Sequence, residues 1–218
     1  MKTIIRTVLV AVALLIGVSA SAQDKPITFG VKAGMNLSNF SGSGVSDSDA
    51  KIGFNVGVTM DYAFSQELYL MTALEFTMKG GKSEGSISYG GVSFEGKETS
   101  NPMYLQIPVH IGYKFAIAEN TNLVLHAGPY VAYGIAGKYK LEGKASVGDA
   151  SGEIKPETDF FGDDMFNRFD FGLGLGVGVE FGQFNIGLGY DLGVVNISGV
   201  SEAKVRNMNA YLTVGYKF

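Results

Sequence analysis

The sequence predicts an all-β protein, an eight-stranded antiparallel up-and-down barrel that crosses a membrane with its apolar side chains outside. Three observations carry this. Between Phe169 and Val194, apolar residues fall on every odd position to Phe181 and, after Gly182-Gln183, on every even position. A strict period of two marks a strand, and a two-residue Gly-X turn of type II′ makes Phe181 and Phe184 partners. That register sets Val179 opposite Ile186, Val177 opposite Leu188 and Leu175 opposite Tyr190 on one apolar face. The other face holds Gly172, Gly174, Gly176, Gly178, Gly187 and Gly189 with Asp170, Glu180, Asn185 and Asp191. Lipid outside and a narrow polar lumen inside require this inversion. Second, runs of the same kind recur along the chain. Third, the connections between them alternate long and short, as in outer-membrane barrels.

The first strand is predicted over 27–37, with Phe29, Val31 and Met35 outward and Thr28, Gly30, Lys32 and Asn36 inward. A polar loop follows to Ala50. The second, 52–62, puts Phe54, Val56 and Val58 outward and Asn55, Thr59 and Asp61 inward; the third, 68–78, turns Glu75 and Thr77 inward. Residues 80–101 read as a long loop whose Gly90-Gly91 closes a hairpin above the membrane. The fourth strand, 103–115, turns Tyr104, Gln106, His110 and Lys114 inward, and Pro108 predicts a bulge because proline cannot donate to a ladder. The fifth, about 123–139, contains Pro129 and turns His126 inward. Residues 140–167 read as the longest loop. The Phe169–Val194 hairpin supplies strands six and seven, and 208–218 the eighth.

Composition agrees. The chain has 218 residues, 31 glycines and no cysteine, so disulfides and thiolate chemistry are excluded. Residues 1–22 read as a secretory signal: Lys2 and Arg6 before an apolar run, then Ala20-Ser21-Ala22 and cleavage before Gln23. The remaining 23–218 form the barrel domain. Without Lys2 and Arg6, 15 bases stand against 21 acids, a net charge of −6 with no basic stripe, which argues against nucleic acid. A soluble barrel with the apolar face inward would need a Lys- and Glu-rich exterior, and the remaining face is mostly Gly, Asn, Thr and Tyr.

Eight strands place both termini on one side, expected to be the periplasm, with the long loops extracellular. Phe29, Tyr62, Tyr113, Phe181, Phe184, Tyr216 and Phe218 all fall at the short-turn end, as an interfacial girdle would. The opening Thr28-Phe-Gly-Val-Lys-Ala-Gly-Met-Asn-Leu-Ser-Asn-Phe40 and the terminal Tyr-Lys-Phe218 resemble the PorT-type outer-membrane β-barrel proteins of Bacteroidetes, a porin-like group with an OmpA/OmpX-like barrel. The resemblance covers the whole mature chain. It implies export, recognition of the carboxy-terminal aromatic by the barrel-assembly machinery, and, for the group's named member, a part in protein secretion. Its motifs specify architecture and no mechanism.

No cofactor is expected. The Gly172-x-Gly174-x-Gly176-x-Gly178 run continues a strand, with no helix after it to cradle phosphate. Lys32, Glu75, His110, His126, Asp170 and Asp191 are predicted to meet in the lumen. A relay or metal site is one reading of them; a packed structural plug is favoured, because eight strands leave room only for side chains and buried ions must pair. No catalytic set is evident, so the chain reads as non-enzymatic. Asp149, Glu153, Glu157, Asp159, Asp163 and Asp164 gather in the longest loop without calcium-loop spacing, and read as solvated. The expectation is a monomeric envelope protein whose external loops contact other molecules; a small-solute porin is the alternative and a secretion component the third.

Overall fold

The computed structural model describes residues 26–43, 45, 48–89, 92–147, 150–161, 165–200 and 202–218. The predicted leader, with Ala20, Ala22 and Gln23, lies outside them. In chain order the strands are β1 (Ile27–Ser41), β2 (Ser48–Ala63), β3 (Leu68–Met78), β4 (Gly81–Tyr89), β5 (Val92–Ser100), β6 (Met103–Ala118), β7 (Thr121–Ala136), β8 (Lys138–Val147), β9 (Ala150–Ile154), β10 (Glu157–Asp159), β11 (Phe169–Phe181), β12 (Phe184–Gly193) and β13 (Arg206–Lys217).

Eight of them close into an antiparallel barrel in the cyclic order β1, β2, β3, β6, β7, β11, β12, β13, with β13 returning to β1. Closure leaves the wall no open strand edge to face lipid. The central hairpin has the expected register, Phe181↔Phe184 through Leu175↔Tyr190, and Gly182 takes φ 56° at its turn. Met35, Ile52, Leu74, Leu175, Ile186, Leu188, Leu212 and Val214 are each half or more exposed outward, while Glu75, Gln106, His110, Asp170, Asp191 and Asn207 are buried inward. On β11 the exposed aromatics Phe169 and Phe181 bracket the apolar run. At about 3.3 Å per residue and a tilt of about 40°, that span is roughly 30 Å, a bilayer's hydrocarbon thickness.

Inside, glycines give room for rings. A Cβ at Gly112 would lie 2.8 Å from the Tyr69 ring, and one at Gly172 would lie 2.6 Å from Tyr130. Cβ atoms at Gly176 and Gly189 would collide with His126 and Tyr211. Each of these glycines is the direct cross-strand partner of the ring it admits, so the ring lies flat over the neighbouring strand and the narrow lumen is filled without overpacking.

Two expectations are corrected. Pro108 makes no bulge: Pro108↔Tyr130 and Ile111↔Ala127 keep one offset, as do Gln106↔Glu75 and Val109↔Thr72 on the other side. Shifts lie instead at the strand's ends, between Met103 and Tyr104 and between Ala116 and Ala118. A bulge at Pro108 would have turned either Gln106 or His110 out to lipid, so the ladder skips a rung and keeps phase. The second correction concerns 140–167, which is not one irregular loop. The fifth wall strand stops at Ala136, and β8, β9 and β10 occupy much of the chain between it and Asp159.

These three strands join the expected β4–β5 hairpin in a second sheet rising from the loop end of the barrel. β4 pairs with the start of β2 (Ser48↔Ser83), β5 lies between β4 and β8, and β9 and β10 share the far edge of β8. Lys140, Glu142 and Lys144 alternate with Tyr139, Leu141, Gly143 and Ala145, a period of two written in charges.

Replacing Leu175 with Arg should cost about 2–4 kcal/mol in denaturant unfolding from lipid vesicles, as for arginine at the midplane of a barrel's lipid face. Phe181→Arg, at the interface, should cost less. Equal costs at the two positions would place the midplane elsewhere.

Candidate functional site

The interior is stacked in layers. At the loop end, Phe160 and Phe161, from the connection after β10, descend onto Tyr104 of β6 and Tyr130 of β7. Phe160 stacks on Phe166 with centroids 4.1 Å apart, while Phe161 meets Phe160 edge-on at 5.0 Å and Tyr104 at 5.6 Å. The Phe161 ring sits where Gly134 has no side chain. These rings stop the mouth.

Beneath them Lys79, 1% exposed, lies 3.4 Å from Asp170, which is fully buried. The ammonium also sits over the Tyr130 ring at 4.4 Å, and Asp170 Oδ2 accepts from Tyr130 Oη (3.2 Å) and Asn207 Nδ2 (2.9 Å). A buried pair needs further donors, and all of those that reach Asp170 converge on Oδ2, while Oδ1 is buried without a hydrogen-bond partner among the described residues.

The middle layer contains the remaining residues expected in the lumen, in separate groups. Lys32 pairs with Glu75 at 2.6 Å, His110 Nδ1 meets His126 Nδ1 at 2.8 Å with the rings stacked, and Asp191 accepts from Gln106 at 2.9 Å. They surround a cavity of about 90 Å³, room for a few waters. Nearest the short turns, Lys217 bridges Asp61 (2.6 Å) and Glu180, and Lys114 pairs with Glu180 at 2.8 Å above the Tyr69 ring.

The six residues expected in the lumen all face it, but they do not form one network. Sequence reasoning misses three partners that complete the upper group: Lys79, Tyr130 and Asn207. Lys79 and Asn207 prolong the inward phase of β3 and β13 beyond the apolar runs, so phase alone would have found them. Phe160 and Phe161 carry no periodic signal. Among the described residues no group of three or more His, Cys, Asp or Glu is gathered to hold a metal ion.

Outside, aromatic pairs mark the short-turn end: Tyr62–Phe64 at 5.2 Å, Tyr113–Phe115 at 4.7 Å, Phe184–Tyr216 at 5.2 Å and Tyr216–Phe218 at 5.6 Å. Phe181 is exposed beside Phe184, and Phe29 accepts the Phe218 amide through its carbonyl. A second belt, not anticipated, lies at the loop end in Phe54, Phe76, Tyr133 and Phe169. In the acidic loop, Glu153 pairs with Lys155, Glu157 with Lys138 and Lys140, and Asp159 with Lys138; Asp149, Asp163 and Asp164 lie outside the described residues. The Lys140 hydrogen bond holds Glu157 below its usual carboxylate range, and the bond to Asp159 raises Lys138.

A closed wall with an apolar exterior and a polar, ion-paired interior defines an integral membrane β-barrel. The chain belongs to the outer membrane protein beta-barrel domain family, whose model matches residues 21–199, which makes the protein an outer-membrane one. No curated protein matches the chain. Among solved structures it is similar to Ail, the attachment invasion locus protein of Yersinia pestis, at 17% identity over 89% of this chain and 99% of that one, TM-score 0.38. It is similar to Neisserial surface protein A at 16% identity over 87% and 97%, TM-score 0.41. It is also similar to OprG of Pseudomonas aeruginosa at 11% identity over 89% and 97%, TM-score 0.44.

Replacing Asp170 with Leu should strand the Lys79 ammonium and cost about 3–5 kcal/mol in urea unfolding. Combining it with Lys79→Met should recover most of that loss. A double variant no more stable than the single one would show that the pair is not the cause.

Proposed function

We propose that the protein is a non-enzymatic outer-membrane barrel that presents a sheet to other envelope or extracellular molecules and does not conduct solutes. The observation that carries this is the pairing of a stopped lumen with a large projecting surface. Rings at the loop end, the Lys79–Asp170 layer and the lower ion clusters fill the interior around a cavity of about 90 Å³, whereas β4, β5, β8, β9 and β10 stand clear of the wall. A porin needs a continuous wet path, and a packed eight-strand interior does not supply one. In this reading residues 1–22 are removed on export, the barrel-assembly machinery inserts the chain as a monomer, and the short turns and both termini face the periplasm. The PorT-type resemblance makes a secretion apparatus one setting for such a contact surface.

The charge pattern of the sheet suits a polar contact. Glu84 faces Lys97 and Lys97 faces Glu142, while Glu95 faces Lys144 and Lys144 faces Glu153, an alternating lattice across four strands. Each charge has an opposite neighbour, so the face is hydrated and nearly neutral.

Reconstituted in planar bilayers, the purified protein should show no steady conductance; stable openings of porin size would promote the channel reading. A cysteine at Gly152 should be labelled on intact cells by a membrane-impermeant maleimide and one at Gln183 should not. The reverse pattern would invert the topology.

A further inference from the structure

At the loop end of the wall, outside the barrel, lies a crevice of about 600 Å³, separate from the lumen and its ion pairs. Its floor is apolar. Met78 and Met103 are cross-strand partners at the ends of β3 and β6, and Ile135 of β7 is exposed in phase with Tyr133. The floor therefore continues the lipid-facing surface upward.

Its rim carries three cations, Arg168, Lys138 and Lys140, against two carboxylates, Glu157 and Asp159, and the two lysines are paired with the carboxylates. Arg168 directly precedes Phe169, whose exposed ring is cross-strand partner to exposed Tyr133, so the guanidinium stands just above an aromatic belt. Aromatic belts lie at headgroup level, and so does this arginine. One of its N–H groups donates to the Gly134 carbonyl at 2.9 Å, and the guanidinium lies over the Phe161 ring at 5.2 Å. Those two contacts hold the side chain in place and leave most of its five donors free. Among the described residues Arg168 has no ion-pair partner, whereas Lys138 and Lys140 beside it share Glu157 and Asp159.

We propose that this crevice binds an anionic lipid of the surrounding leaflet, its phosphate on Arg168 and one acyl chain along Ile135, Met103 and Met78. Charge complementarity selects the headgroup. Continuity with the lipid-facing wall selects a lipid over a soluble anion, because free phosphate would leave the apolar floor uncovered. Flexible methionine side chains suit a chain of variable contour. The assignment does not depend on which end of the barrel faces outward.

The test uses the full barrel in nanodiscs of zwitterionic lipid doped with phosphatidylglycerol or lipid A, with lipid retained after detergent extraction counted by native mass spectrometry. The wild type should keep one anionic lipid in preference to zwitterionic lipid. Arg168→Gln should lower that preference by at least about tenfold, the loss expected for one charge-assisted hydrogen bond. Arg168→Lys should keep part of it, and Lys97→Gln, on the projecting sheet, should change nothing. Equal retention of the two lipid classes, an unaffected Arg168→Gln, or an equal loss in Lys97→Gln would each overturn the site. Protection of the barrel against heating by inorganic phosphate alone, as large as that from the lipid, would overturn the lipid assignment. If Arg168→Gln does not fold, Ile135→Asn reads the floor instead and should likewise lower retention.

Discussion

A wall of only eight strands leaves an interior about one side chain deep, and the rest of the structure depends on that narrowness. Lipid outside demands that every wall backbone group pair within the sheet, so closure is obligatory and polar side chains turn inward. There they have no bulk water. Each charge must then find a partner at short range, and Lys32 with Glu75, Lys79 with Asp170 and Lys217 with Asp61 do so. The same shortage of space explains the glycines. Tyr69, Tyr130, His126 and Tyr211 lean over the neighbouring strand only because their cross-strand partners there are Gly112, Gly172, Gly176 and Gly189.

The two ends answer different demands. At the short-turn end the connections are tight, aromatic side chains crowd the outside, and an ion cluster around Lys217 fills the interior. At the loop end the strands outrun the bilayer and the wall opens into a second sheet where β2 changes partner from β3 to β4. That opening would expose the lumen, and Phe160 and Phe161 return from the loop to cover it. The projecting sheet and the stopped mouth are therefore coupled: the chain that builds one supplies the other.

Placing Arg168 on the Phe161 ring extends that coupling to the lipid boundary. One phenylalanine touches the Tyr104 layer on its inner side and a guanidinium at the crevice. Side chains that stop the lumen thus also position a cation at the height where anionic headgroups lie.

The sequence by itself determined the barrel. The period of two assigned each wall residue to lipid or lumen, the Gly182-Gln183 turn set the hairpin register, and the inward phase named Lys32, Glu75, His110, His126, Asp170 and Asp191. Phase is a local property, repeated every second residue, so it can be read without knowing what faces what. Tertiary structure decided the partners. Whether Asp170 meets Lys79 or Asp191 depends on strand tilt and stagger around the closed wall, which fix the height of each residue along the lumen and leave no trace in one strand's alternation. The β8 alternation is present but reads as loop, because the face opposite Lys140, Glu142 and Lys144 holds only Tyr139, Leu141, Gly143 and Ala145, too short and too small an apolar run to stand out among the surrounding charges and glycines. Phe160 and Phe161 lay in a segment without period, and only the three-dimensional return of that segment to the mouth gave them a place.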